Sequence, residues 1–277
     1  MEVVGTTEVA IPEIPGLQIM SLEEDIGPMR LLAYGPSGSG KTHLMGTVAE
    51  VPEMCPALFV DFDRGTRTLR KFVGKGRVDV VHVDGNAEWS RVSRFIRGKD
   101  CPYKTVILDD LNELYDVLMR ARLKSKEGQA GREPGIPWQE DWMRIHYQIR
   151  AMLRVLRKQP YHLLATTLEA LNVDAQSEII IRMPMMPGKL APEVGKYFDY
   201  VLYMSVRSKK YTASTQLGAR LIAKARGDLP DLIVNPHMGT IRAADLEGAP
   251  EFESVEEPEE AEGGATEEDE GNDELED

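Results

Sequence analysis

Short apolar runs alternate along the chain with stretches in which apolar residues recur at helical spacing. The runs predict strands buried on both faces of a sheet, and the intervening helices predict that neighbouring strands are parallel. The predicted strands are 30–34, 57–63, 78–84, 104–110 and 162–168, and the predicted helices are 42–49, 87–97, 111–124 and 138–158. We therefore expect an α/β fold with a mainly parallel sheet flanked by helices.

The pattern is less regular between and after these elements. Residues 125–137 are polar and rich in glycine and proline, which predicts a loop. Residues 169–192 predict a second irregular segment, and both segments are longer than most connections. Residues 200–206 and 220–226 are apolar again and predict late strands in an antiparallel extension of the sheet.

The two ends of the chain differ from its body. Residues 1–27 place prolines around short apolar patches and predict an extended arm, which either docks on a neighbouring subunit or is a frayed terminus or edge strand. Residues 251–277 hold fifteen acidic and no basic residues, and without them the chain has 33 basic and 31 acidic residues. Residues 1–250 are therefore nearly neutral, and we expect a folded domain over 28–246 and a disordered acidic tail over 247–277.

Several classes of protein are disfavoured. There is no run of eighteen apolar residues and no basic then apolar N-terminal region, so we expect neither membrane insertion nor secretion. The two cysteines, Cys55 and Cys101, lack metal-ligand spacing and predict reduced thiols in a cytoplasmic protein.

Candidate chemistry begins at residues 35–42, which fit the phosphate-loop pattern G-x-x-x-x-G-K-[ST] between a predicted strand and a predicted helix. Backbone N–H groups of such a loop point at phosphate oxygens, Lys41 would reach the β- and γ-phosphates, and the Thr42 hydroxyl would bind Mg²⁺. We expect ATP and Mg²⁺ as ligands. The predicted nucleotide-binding residues are Gly35, Pro36, Ser37, Gly38, Ser39, Gly40, Lys41, Thr42 and His43.

Carboxylates follow the fourth predicted strand. Asp109 stands where a second metal ligand belongs, and we expect it to hold Mg²⁺ directly or through water. Asp110 either orients the attacking water or caps the next helix, and the sequence leaves both roles open.

The order of these motifs resembles a RecA-type ATPase core. The resemblance implies that Asp63, at the end of 59–63, activates the attacking water, although the family residue is usually Glu. It likewise implies that Thr167 senses the γ-phosphate. Lys224 and Arg226 resemble basic residues that reach the ATP of a neighbouring subunit, which implies a homo-oligomer, either ring or filament.

Residues 28–235 are most similar to a phage-encoded branch of small RecA-core ATPases that work in single-stranded DNA annealing and recombination. The shared features are the phosphate loop, the Asp-rich second strand, 188–192 before 198–201, and 223–230. The resemblance implies ATP hydrolysis stimulated by DNA, a single-strand-binding or annealing protein as partner, and the bacterial host cytoplasm as location.

The same resemblance suggests that the two irregular segments, about 120–137 and 169–189, face DNA. Their basic residues would neutralise phosphates, and Met183, Met185 and Met186 would wedge between bases. Neither segment has an aromatic stacking platform, so a lid or packing loop is the alternative.

Three other functions fit a phosphate loop: an AAA+ type remodeller or helicase loader, a nucleotide-gated adaptor in replication, and a packaging-motor ATPase. A helicase loader predicts a helical lid after the core, whereas residues 200–245 predict strands.

Overall fold

The structure, a computed structural model, describes residues 27–173, 180–218 and 220–247. Residues 1–26 of the predicted arm and 248–277 of the predicted acidic tail lie outside the described residues. So do residues 174–179 of the second irregular segment.

One sheet organises the described residues, in the strand order β3-β2-β4-β5-β1-β7-β8-β9, with β6 paired to an extension of β5. The first six strands in that order are parallel, whereas β8, β9 and β6 are antiparallel to their neighbours. The predicted architecture is therefore confirmed. The strands are β1 Arg30–Gly35, β2 Ala57–Asp61, β3 Val78–His82, β4 Thr105–Asp109, β5 His162–Val173, β6 Ile180–Pro184, β7 Tyr200–Arg207, β8 Lys210–Ser214 and β9 Leu232–Val234.

Helices cover both faces of the sheet, and 3-10 turns join several of them. The α-helices are α1 Lys41–Gly46, α2 Asn86–Ile96, α3 Leu111–Lys124, α4 Gln139–Leu156, α5 Leu190–Glu193 and α6 Met238–Glu247. The 3-10 segments are Thr47–Glu50, Pro52–Met54, Gly65–Phe72 and Val194–Tyr197. Among the described residues, no helix is both long and apolar enough to cross a membrane.

Two hydrophobic cores lie on opposite faces of the sheet. On one face, α2, α3 and α4 bury residues such as Trp89, Leu114 and Ile149. On the other face, α1 and α6 bury Leu44 and Ile241. Strands β2 and β4 are buried along their whole length, which explains why they read as continuous apolar runs ending in aspartate.

The beginning of β1 is tied to the end of α4 by a buried arginine. Arg30 donates from Nε to the Arg157 carbonyl at 2.8 Å and from Nη2 to the Gln159 carbonyl at 2.7 Å. These acceptors follow the last turn of α4, where a cation is favoured by the helix dipole. The polar ends of α4 and β1 are therefore satisfied together.

A buried histidine begins β5. The Met29 N–H donates to His162 Nδ1 at 2.9 Å, so the ring acts as an acceptor and must be neutral there. Burial, together with the charges of Arg242 and Arg30, lowers the pKa of His162 to about 4. The free energy of unfolding therefore depends on pH through His162.

Three element predictions are wrong. Residues 169–173 and 180–184 are not irregular, because β5 continues to Val173 and pairs antiparallel with β6. Residues 220–226 form only isolated bridges. β7 pairs with β1 on one side and with β8 on the other, so beyond Val201 it has no free edge to which these residues could add a strand. The late strands are instead β8 and β9. The first helix also ends early, with a 3-10 turn replacing its second half.

Candidate nucleotide site

The candidate site lies at the carboxyl edge of the parallel sheet. The phosphate loop follows β1, and Asp109 ends β4, with β5 lying between these two strands. Because parallel strands bring their carboxyl ends to one edge, residues far apart in the chain meet there. This edge gathers the phosphate loop, Asp61, Asp109 and Thr166.

Glycines shape the phosphate loop. Gly38 and Gly40 have φ values of 77° and 89°, a left-handed conformation that other residues adopt only with strain. A Cβ on Gly40 would also stand 2.7 Å from the Tyr211 ring, and a Cβ on Gly35 would stand 2.1 Å from the Met204 carbonyl oxygen. The loop is therefore packed against β7 and β8, and no side chain caps the start of α1.

Lys41 is folded back into its own loop. Its ammonium donates to the carbonyl oxygens of Gly35 and Pro36, each at 2.9 Å. Burial lowers the pKa of Lys41, while the carboxyl groups of Asp109 and Asp110 oppose this shift. Nearby, the buried Ser39 hydroxyl has no hydrogen-bond partner among the described residues. Both polar groups are available to a ligand in the loop.

Asp109 joins the phosphate loop to the central strand. Its Oδ2 accepts a hydrogen bond from the Thr42 hydroxyl at 2.9 Å, and its Oδ1 accepts one from the Thr166 hydroxyl. Burial raises the pKa of Asp109 to about 6, although both hydroxyl hydrogen bonds oppose the rise. A buried carboxylate without a charged partner is strongly stabilised by a bound cation, because the cation offsets the free-energy cost of burying the negative charge.

Asp110 begins α3. Its side chain accepts from the Glu113 N–H at 2.9 Å, which is the capping role that the sequence left open. Burial and the neighbouring Asp109 charge raise the pKa of Asp110 to about 7, against the effect of the capping hydrogen bond. Capping uses Oδ1, so it does not by itself remove the second oxygen from a role with water.

Asp61 is a site residue that sequence reasoning missed. It is buried at the end of β2, in register with Asp109, and its Oδ2 lies 2.9 Å from His82 Nδ1. Its Oδ1 accepts from the N–H groups of Asp63 and Gly65 at 3.3 and 3.2 Å. Asp61 thus orders the turn that carries Asp63, whose own side chain is exposed. The signal was present, because Asp61 also ends an apolar run.

The donor set fits Mg²⁺ held partly by a nucleotide. The described residues contain no group of three His, Cys, Asp or Glu side chains that could enclose a metal. They do bring together one hydroxyl and one carboxylate, Thr42 and Asp109, the predicted metal ligands. Mg²⁺ commonly takes one or two protein oxygens and fills its remaining positions with phosphate and water.

Thr167 faces away from this pair. Its hydroxyl contacts the Met185 carbonyl at 3.1 Å and Asn112 Oδ1 at 3.2 Å, whereas its neighbour Thr166 contacts Asp109. Successive side chains of a strand point to opposite faces, so only one of the two threonines reaches Asp109. The sensing role predicted for Thr167 stays a prediction, and Thr166 is a second candidate.

His43 lies among aromatic rings beside the loop. Its ring stacks on Phe72 with centroids 5.4 Å apart and is tilted against Tyr211 at 5.6 Å. Its Nε2 lies 3.0 Å from Lys71 Nζ, and burial lowers the pKa of His43. The sequence predicted His43 as a nucleotide-binding residue but gave no indication of Phe72 or Tyr211.

Lys224 and Arg226 lie far from the phosphate loop of their own chain. Lys224 Nζ donates to the Phe198 carbonyl at 2.7 Å, and Arg226 lies 3.2 Å from Asp199. The Asp199 N–H donates to the Arg30 carbonyl at the start of β1, which is the opposite end of the strand from the loop. Any contact of these two residues with a nucleotide would therefore involve a second subunit.

The basic residues of the first predicted DNA segment are partly engaged. Arg122 and Arg132 both pair with the buried Asp141, at 2.8 and 2.7 Å. Arg120 and Lys124, in contrast, are exposed and have no ion-pair partner among the described residues. In the second segment, the paired strands β5 and β6 expose the large apolar side chains of Leu171, Val173 and Ile180. Met185, which follows β6, is also exposed, whereas Met186 is buried in the core, so the prediction that Met186 wedges between bases is wrong.

Comparison with known proteins matches residues 27–227 to the AAA domain family. No curated protein matches the chain. The crystal structure of the RadB recombinase is 17% identical, with a TM-score of 0.42 and coverage of 75% of this chain and 87% of that chain. The assembled ATPase EscN from the enteropathogenic E. coli type III secretion system is 17% identical, with a TM-score of 0.38 and coverage of 65% and 43%. The match therefore covers less than half of that EscN chain.

Proposed function

The chain belongs to the AAA domain family, and from this premise we propose that it is a Mg²⁺-dependent ATPase of RecA type that acts on single-stranded DNA. The observation that carries the proposal is the contact between the Thr42 hydroxyl and Asp109 beside Lys41. One ammonium, one hydroxyl and one strand-end carboxylate are the groups that a nucleotide with Mg²⁺ requires.

Within this proposal, each loop residue has a distinct role. The backbone of 35–42 binds phosphate oxygens, and Lys41 exchanges its two carbonyl acceptors for oxygens of the β- and γ-phosphates. Thr42 and Asp109 would hold Mg²⁺, and the ion would supply positive charge to neutralise charge developing on the phosphates. Thr166 keeps the Asp109 carboxylate oriented.

Asp63 and Asp110 are the proposed residues for orienting the attacking water. Asp63 is exposed and mobile water can reach it, while Asp61 orders its turn. Asp110 is buried and has one carboxylate oxygen outside its helix cap. Replacing each by Asn removes the acceptor charge while keeping the shape, so the variant with the larger loss of turnover identifies the residue.

Single-stranded DNA would contact the first irregular segment and the paired strands β5 and β6. Support comes from the exposed cations Arg120 and Lys124 and from the exposed apolar side chains of the paired strands. The paired part of β5 continues the strand whose residue Thr166 contacts Asp109, so one strand joins the nucleotide site to the β5–β6 pair. This connection would allow DNA and nucleotide to affect each other's binding.

We place the nucleotide between subunits of a homo-oligomer, with Lys224 and Arg226 of one subunit completing the site of the next. Support comes from their position at the far end of β1 and from the exposed Arg226 guanidinium. A basic residue supplied in trans raises turnover by roughly 10³-fold or more in related phosphoryl transfer. We further propose that the protein is phage-encoded and acts in the bacterial host cytoplasm. Its proposed partner there is a single-strand-binding or annealing protein.

The helicase-loader alternative has less support. It expects a helical lid after the core, but β7, β8 and β9 follow the core and extend the sheet, with only α6 after them among the described residues. A nucleotide-gated adaptor would have the same nucleotide-binding residues as the proposed ATPase and would differ from it only in not hydrolysing ATP.

The decisive experiment measures ATP turnover with and without single-stranded DNA in the full chain and in Lys41→Ala. We expect turnover that rises with DNA and is lost in the variant. Lys75→Ala is the matched control, because Lys75 is another lysine near the loop that pairs with Glu50 instead. ATP binding without turnover would favour the adaptor, and unchanged turnover in Lys41→Ala would overturn the assignment.

A mixing experiment tests the shared site. Lys41→Ala and Arg226→Ala subunits should each be inactive, whereas co-assembled mixtures should recover part of the activity because some interfaces then hold one intact site. Arg207→Ala, which changes another late arginine, should retain turnover. Mixtures that co-assemble but are never more active than their components would contradict the trans role.

A further inference from the structure

A groove runs between α2 and α4 on the face of the domain covered by α3. It has a volume of about 610 Å³, and Leu118 of α3 contributes to its floor. Along α4 it is lined by Tyr147, Ala151 and Val155, which lie four residues apart and therefore on one side of the helix. Tyr147 is 70% exposed and Val155 is 40% exposed. An exposed apolar strip of this kind on a helix indicates a surface that another segment covers.

The rim of this groove is basic. It is lined by Arg94 of α2, Arg97 directly after α2 and Arg144 of α4, and by no acidic residue in the described part of the chain. Arg97 donates to the Ser93 carbonyl, whereas Arg94 and Arg144 have no ion-pair partner within 27–173, 180–218 and 220–247. An occupant of the groove should therefore combine apolar side chains with negative charge.

The described chain enters the domain close to one end of this groove. The Arg30 guanidinium donates to the carbonyl oxygens of both Pro28 and Arg157, each at 2.8 Å. Arg157 is two residues beyond Val155, so Pro28, near the beginning of the described chain, lies beside the end of α4. From Val155 to Arg144 the groove extends for roughly 17 Å at 1.5 Å per helical residue.

Residues 1–26 have the required composition. They contain six acidic residues, no basic residue, and apolar residues throughout their length, such as Val9, Ile11, Leu17 and Ile19. Ten extended residues reach about 33 Å, so this segment is long enough to traverse the groove. We propose that residues 1–26 of the chain bind in the α2–α4 groove of the same subunit.

The other acidic segment is a poorer occupant. Residues 251–277 carry fifteen acidic residues, but their only large apolar side chains are Phe252, Val255 and Leu275. Such a segment matches the arginine rim and leaves the apolar floor uncovered. Apolar burial supplies most of the free energy of docking, so composition favours residues 1–26.

Photocrosslinking in the full chain tests the proposal. Tyr147 is replaced by p-benzoylphenylalanine, and the crosslinked peptides are identified by mass spectrometry. We expect crosslinks to residues 1–26 within one chain, with a yield that stays constant over a tenfold range of protein concentration. The control carries the same photoreactive residue at Val73, which is exposed beside Arg70 and Arg77 in a different basic groove.

The electrostatic contribution is tested separately. Arg94→Glu combined with Arg144→Glu should lower the yield roughly fourfold, because each rim ion pair changes docking by a factor of about two. In the protein with native arginines, the yield should also fall as salt increases. Crosslinks mainly to 248–277, crosslinks only between copies, equal capture of 1–26 from Val73, or a yield unaffected by charge reversal and by salt would each overturn the proposal.

Discussion

The first irregular segment is held to α4 by a buried charge network, and its removal gives a quantitative prediction. Asp141 is fully buried and accepts from Arg122 Nε at 2.8 Å, Arg132 Nη1 at 2.7 Å and the Trp138 N–H at 3.0 Å. The Arg132 side chain is 3% exposed, and its guanidinium lies 4.4 Å from the Trp138 ring centroid. Asp141→Leu would leave this buried guanidinium with only the exposed carboxylate of Glu140, which lies 3.3 Å from Arg132 Nη2.

The expected loss of unfolding free energy depends on whether one partner of the buried ion pair is removed or both are replaced. Removing one partner of a buried ion pair typically costs about 3–5 kcal/mol, because the remaining charge is uncompensated. Replacing both partners by apolar residues of similar size is often neutral. We therefore expect Asp141→Leu to lose about 3–5 kcal/mol of unfolding free energy, and Arg132→Met with Asp141→Leu to recover most of that loss.

Urea unfolding followed by far-UV circular dichroism measures both variants. With a slope of about 3 kcal/mol per molar urea, the single variant should shift the midpoint by about 1–2 M, and the double variant should return close to the parent. Asp141→Asn, which keeps an acceptor for the Trp138 N–H, should fall between them. A single variant within about 1 kcal/mol of the parent, or a double variant as unstable as the single one, would refute this reasoning.

Three further predictions concern pH, the metal-side threonine and the acidic tail. Because the pKa of His162 is lowered, its contribution to stability is present above pH 6.5 and is lost as pH falls toward 4, by about 3 kcal/mol relative to His162→Asn in chemical unfolding at each pH. Thr166→Val should lower ATP turnover roughly tenfold or more by removing a hydrogen bond to a charged group, and a larger loss in Thr167→Val would assign sensing to Thr167. Truncation after Gly248 should tighten single-stranded DNA binding at low salt, with the gain shrinking at high salt; equal affinities of the two proteins across a salt series would exclude competition by the tail.

Much of the fold follows from local sequence. Fully buried parallel strands require continuous apolar residues, so β2 and β4 were recognisable from their runs and from the aspartates that end them. The bounds of α3 were predicted to the residue, because its apolar positions recur at helical spacing after a capping aspartate. The phosphate loop was recognisable because a glycine pattern of this kind specifies backbone conformation directly.

The site beyond the loop depends on contacts between distant residues. Thr166 contacts Asp109 across 57 positions of sequence, and the register of β5 determines that Thr166, and not Thr167, faces it. Arg132 is likewise buried because Asp141 pairs with it in the folded chain. From the sequence alone, this arginine belonged to a segment predicted to face DNA.

By itself, the sequence determined the α/β class, the phosphate loop and the carboxylates that end strands, because these depend on side-chain period and local backbone conformation. Only the tertiary structure decided that residues 220–226 contact the strands through isolated bridges alone, that 169–173 pair with 180–184, and that Asp61 joins the site. Each of these outcomes depends on which strand edges are free and which side chains meet at one end of the sheet. Such pairings are set by the whole chain at once, and no local pattern encodes them.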